Sequence, residues 1–69
     1  MRKFDILKML FESAGAVSPS DISKKTGISL PNVYTYLKEL AEENLIQKTH
    51  TGTYIINKAN EKLRIILDL

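Results

Sequence analysis

The sequence predicts a mainly α-helical domain with a small β-hairpin, in the order helix, short strand, helix, helix, two-stranded hairpin, helix. Three observations predict it. Apolar residues recur at helical spacing in four separate stretches. Capping residues bracket the two middle stretches and leave only a tight turn between them. Residues 45–56 then change to a β-leaning composition around a turn that contains glycine.

The first helix is expected over residues 2–13. Phe4, Leu7, Leu10 and Phe11 share one face there by the i, i+3, i+4, i+7 rule, and Gly15 stops the helix. Ala16 and Val17 form a short extended piece. Ser18 is a good N-cap, Pro19 suits the first helical position, and Asp21 lies three residues after the cap. This second helix runs to about Thr26 and ends at Gly27, with Ile22 as its anchor and Ser23 small enough for a close neighbour. Ser29 caps the third helix, and Pro31 is tolerated in its first turn. Its buried stripe is Val33, Leu37, Leu40 and Ala41, and it ends near Asn44, a reasonable left-handed residue. Stretches 45–49 and 53–56 form the hairpin, with His50, Thr51 and Gly52 in the turn. Asn57 can cap a last helix over 58–69, with Ala59, Leu63, Ile66 and Leu67 inward.

With 69 residues there is room for a single domain, taken as 1–69. A chain this short hides only about 60% of the surface it exposes unfolded, so stability is marginal without a supplement. The absence of cysteine excludes disulfides, and a lone histidine cannot complete a tetrahedral zinc site. Oligomerisation is the remaining common supplement. No apolar run approaches the ~20 residues that cross a membrane. Asp5 and Lys8 interrupt the N-terminal apolar stretch, which argues against a secretory signal. No membrane partner is expected, and a cytoplasmic location is the default. The net charge of +2 is mildly basic and says less than its distribution.

The third helix carries the functional argument. With Val33, Leu37 and Leu40 inward, Pro31, Thr35, Lys38, Glu39 and Glu42 face outward, and Asn32 and Tyr34 fall on the flanks. Its first two turns contain no acid, whereas Glu39, Glu42 and Glu43 crowd the last two. The N-terminal end also carries the positive pole of the helix dipole and free N–H groups, which favour phosphate. A polyanion is therefore accepted by the first half and repelled by the second.

Ile22, Ser23, Gly27, Ile28, Ser29, Val33, Leu37, Leu40, Leu45 and Ile46 supply the small and apolar positions around the turn and at the hairpin start. In these residues, and in its element order, the chain resembles the winged helix-turn-helix family, including small prokaryotic transcription regulators of the MarR and ArsR kinds. The resemblance covers nearly the whole chain. It implies double-stranded DNA as the partner, with the third helix in the major groove. The family often carries an arginine early on that helix; Thr35 stands nearest the position here, so strong arginine-to-guanine readout is not expected.

Candidate contacts follow from side-chain chemistry. Asn32 suits a bidentate bond to adenine, and Thr35 a thymine methyl or a base edge. Pro31 lies on the same outward face. Ser29, Tyr34 and Lys38 suit phosphates. Lys24 and Lys25 on the preceding helix can reach the backbone beside the groove, although paired lysines are often merely solvated. Lys48, His50 and Thr51 lie at or near the hairpin tip, where they could meet the adjacent minor groove or its phosphates.

Apolar residues off the core stripes give a second signal. Ile6 and Met9 on the first helix, with Ile65 and Leu69 on the last, are expected to form one exposed patch that joins a homodimer. The competing reading is wrap-around packing in a monomer. Two recognition helices about 34 Å apart would then read a palindromic site. A winged-helix module that binds protein or RNA is the alternative to specific DNA binding. No nucleophile is paired with an oriented base, so an enzyme is not expected, nor is a cofactor.

Overall fold

The computed structural model describes residues 2–67. Its elements are α1 (Arg2–Glu12), α2 (Pro19–Thr26), α3 (Leu30–Glu42), β1 (Ile46–Lys48), β2 (Tyr54–Ile56) and α4 (Lys62–Ile66). The architecture is mainly helical with one antiparallel hairpin, as the sequence pattern requires.

Local chemistry sets the middle helices. Ser18 is extended, and its Oγ accepts the Asp21 N–H at 3.2 Å while Pro19 opens α2. Gly27 ends α2 at φ 75°, a left-handed conformation that glycine adopts without Cβ strain, and its N–H donates to the Ser23 carbonyl. Ser29 sits at the N-cap of α3 and its carbonyl accepts from Val33 N–H, but its side chain makes no capping bond. Asn44 takes φ 62° just past α3, which turns the chain into β1.

In the hairpin, Ile46 pairs with Ile56 and Lys48 with Tyr54. Val17 adds a short third rung by exchanging two backbone hydrogen bonds with Tyr54, at 2.8 and 2.9 Å. The extended piece after α1 thus ties the first helix to the hairpin.

One core gathers Ile6, Leu7 and Leu10 of α1, Ile22 of α2, Val33, Leu37 and Leu40 of α3, Leu45 and Ile46, Tyr54 and Ile56, and Leu63 of α4. Burying each large aliphatic side chain is worth about 1.5–3 kcal/mol. This cluster therefore fixes which face of α3 remains outside.

The core face of α1 differs from the expected one. Ile6 is fully buried and Met9 is partly buried against the core, so neither forms an outward apolar pair. Phe4 is instead exposed, and Phe11 is only partly buried. The reason is that α3, α2 and β2 all pack onto α1 and enclose the Ile6, Leu7, Leu10 side. Phe4 and Phe11 are left on the side toward α4.

The last helix is also shorter than expected, because Asn57 and Asn60 fold the preceding segment into a turn. Asn60 N–H donates to the Asn57 carbonyl, and Asn57 Oδ1 accepts from Ala59 N–H in that turn rather than opening a helix. Ala59 is exposed, Leu63 is the core residue of α4, and Ile66 stands at the surface. Leu69 lies outside the described residues.

Candidate nucleic-acid interface

The turn between α2 and α3 is held by side chains as well as backbone. Ser23 Oγ donates to the Ile28 carbonyl at 2.7 Å, and Thr26 Oγ1 donates to the Ile22 carbonyl while accepting Ile28 N–H. Ile28 itself is buried. Three hydrogen bonds and one buried anchor therefore set the angle at which α3 leaves α2.

With its inner stripe in the core, α3 presents Ser29, Pro31, Asn32, Tyr34, Thr35 and Lys38 to solvent over its first turns. Tyr34 is 52% exposed and Leu30 is 39% exposed. The outward position of Leu30 was not anticipated, since its i+3 and i+7 neighbours Val33 and Leu37 are buried. Thr35 Oγ1 donates to the Pro31 carbonyl at 3.1 Å, so that hydroxyl is turned back to its own helix.

The remaining candidates lie on flanking elements, all exposed. Lys24 and Lys25 close α2, where the negative pole of the helix dipole also favours cations. Lys48 ends β1, and His50 and Thr51 are in the hairpin turn. There Thr49 Oγ1 lies 2.9 Å from Thr51 Oγ1 and 2.7 Å from Thr53 Oγ1, and Gly52 turns the chain at φ 84°. This hydroxyl cluster ties together the turn that carries His50 and Thr51.

The acidic end of α3 has its own partners. Lys3 of α1 reaches Glu43 at 2.9 Å and Glu39 at 3.5 Å. The hydrogen bond that the Lys3 ammonium donates to Glu43 raises the lysine pKa, desolvation opposes it, and the charges of both carboxylates add to the rise. Asn57 and Asn60 side-chain amides each donate to the Asn44 carbonyl at 2.8 Å. Lys3 and Asn60 were not singled out in the sequence, and Asn57 was read there only as a helix cap. All three act between segments far apart in the chain, which local spacing does not reveal.

An open groove of about 420 Å³ runs between α1 and α4, lined by Phe4, Asp5, Lys8, Phe11, Glu12, Ile66 and Leu67. Ile65 beside it on α4 is 82% exposed. No cluster of potential metal ligands occurs among the described residues. No helix among them is long and apolar enough to cross a membrane.

A family model described as winged helix-turn-helix DNA-binding matches residues 2–47, which span α1, α2, α3 and the start of the hairpin. Compared with curated proteins and with solved structures, the chain matches none. The family match is broad and does not single out the MarR or ArsR kinds. It rests on the segment in which a locked turn presents an exposed helix, and the chain belongs to the winged helix-turn-helix DNA-binding family.

Proposed function

We propose that residues 1–69 act as one sequence-specific double-stranded DNA-binding unit, a cytoplasmic transcription regulator that works as a homodimer. The single observation that carries the reading is the two-sided character of α3. Its inner stripe is fully buried, while the first two turns of its outer side are exposed and free of acid. That half enters the major groove, with Asn32 and Thr35 toward base edges and Pro31 on the same outward face. Ser29, Tyr34, Lys38, Lys24 and Lys25 contact phosphates and set register. Lys48, His50 and Thr51 reach the flanking groove or its backbone.

The dimer joins through the α1/α4 groove. Phe4, Phe11, Ile65, Ile66 and Leu67 supply apolar surface, and Asp5 and Glu12 flank Lys8. A two-fold copy can set each Lys8 on carboxylates of its partner, so the charges support self-association. Ile6, buried in the core, has no part in this interface. Two copies matter because one offers few cations, and affinity at physiological salt follows the number of phosphates neutralised.

Titration of the purified chain onto random duplex DNA at increasing salt tests the reading. Binding that weakens linearly on a logarithmic salt scale supports it. Undetectable duplex binding at ~50 mM salt removes it and leaves a protein- or RNA-binding module.

A further inference from the structure

The middle of the outward strip of α3 is occupied by Pro31 and Thr35, one helical turn apart. Proline has no N–H to give. The Thr35 hydroxyl donates its hydrogen bond to the Pro31 carbonyl. In this arrangement the centre of the strip is a pyrrolidine ring, a threonine methyl and a hydroxyl oxygen that turns its lone pairs outward. Tyr34 and Leu30 extend the apolar surface along one side, and Asn32 stands on the other.

These groups match A·T pairs, in either orientation, better than G·C pairs. In the major groove a T·A pair offers the thymine 5-methyl and the adenine N6–H donor. An apolar contact takes the first, and a hydroxyl lone pair takes the second. A G·C pair also offers a donor, at cytosine N4, but no methyl. The methyl is therefore what discriminates.

We propose that the chain reads thymine 5-methyl groups with Pro31 and Thr35, so that the core of its site is A·T pairs recognised by apolar contact. The inference rests on α3 entering the major groove. Asn32 beside the strip adds an adenine reader, which strengthens the same preference.

The test first selects bound duplexes from a random pool with the full chain, then replaces each thymine of the selected site with deoxyuridine. That change removes the 5-methyl and keeps the pairing. The expected result is a site with central A·T pairs and about fourfold weaker binding per contacted methyl, the effect of exposing one such group. Thr35→Ser, which keeps the hydroxyl and loses the methyl, should bind thymine and uracil forms alike at its position. Thr35→Val, which keeps a methyl, should retain the preference for thymine. Binding that is blind to uracil throughout, a G·C-centred site, or undiminished thymine preference in Thr35→Ser overturns the methyl reading while groove binding stands. Absence of duplex binding at ~50 mM salt overturns both.

Discussion

The ammonium of Lys3 lies 2.9 Å from the carboxylate of Glu43, joining the start of α1 to the C-cap of α3. Glu39 stands 3.5 Å from the same ammonium, so one lysine serves two acids at the C-terminal end of α3. The sequence reads those acids as repelling a polyanion. The structure adds that they also anchor α3 to its neighbour.

Removing that lysine should cost a modest amount of stability with a defined pH dependence. Exposed pairs contribute about 0.2–1 kcal/mol, and the Lys3 side chain remains 25% accessible. Lys3→Met is expected to lower the unfolding free energy at pH 7, read from urea denaturation, within that range. Because the folded-state pKa is raised, the contribution is complete below the ordinary lysine value of 10.5 and fades as pH climbs through the folded value. Wild type and variant should converge in strongly alkaline solution. Equal midpoints at pH 7 would show that the bridge contributes nothing.

Ile6 and Phe4 should behave in opposite ways. Ile6 is fully buried, so Ile6→Ala should destabilise by about 2–5 kcal/mol. Phe4, at 37% exposure on the groove toward α4, should tolerate Phe4→Gln with a much smaller loss. Chemical denaturation of the two variants decides it. A larger loss for Phe4 would restore the stripe that simple periodicity suggests.

That pair also shows what the sequence could and could not convey. Ser18, Pro19, Gly27 and Asn44 were legible because caps act within a few residues, and the structure uses each at its expected place. The α3 stripe was legible because Val33, Leu37 and Leu40 admit only one apolar side. The first helix carries apolar residues most of the way round. Leu7 and Leu10 fit two stripes, one with Phe4 and Phe11 and the other with Ile6, rotated by about 60°. Only the elements that pack onto α1 choose between them. The turn at 57–61 was hidden for a related reason: Asn57 and Asn60 bond to a carbonyl 13 and 16 positions away. The proposed contacts on α3 were visible as residue types, but the Thr35 to Pro31 bond that defines what Thr35 presents was not.

Gly27 isolates backbone strain from steric clash. A Cβ there would meet nothing within 4 Å, yet φ is 75°. Gly27→Ala should therefore cost about 1–2 kcal/mol through conformation alone. Gly27→Asn should cost less, since asparagine tolerates the left-handed region better. Thermal denaturation of both variants gives the comparison, and equal losses would point to a clash or a lost contact instead.

Ile65 provides a clean probe of the proposed dimer, because it is 82% exposed and its loss leaves the core intact. Ile65→Gln combined with Phe4→Gln should shift the monomer–dimer equilibrium toward monomer in sedimentation velocity, with helical content unchanged. A wild-type chain that is already monomeric at tens of micromolar would sink the dimer.

Contacts to bases and contacts to phosphates leave different signatures, and the contacts proposed for α3 and α2 include both. Asn32→Ala removes the side chain suited to a bidentate adenine bond, which is worth about 1–3 kcal/mol of discrimination. Combined with Thr35→Ala, it should bring affinity for the selected site toward affinity for random duplex, with little change in salt dependence. Lys38→Ala and Lys24→Ala remove exposed cations and should act on every sequence equally. Each should also reduce the slope of log affinity against log salt by about 1, because one fewer counterion is released. Competition titrations at several salt concentrations separate the two classes. If the Asn32 and Thr35 pair leaves the specificity ratio untouched, α3 does not face the bases. If the lysine variants change specificity while the salt slope holds, those side chains read base edges and not the backbone.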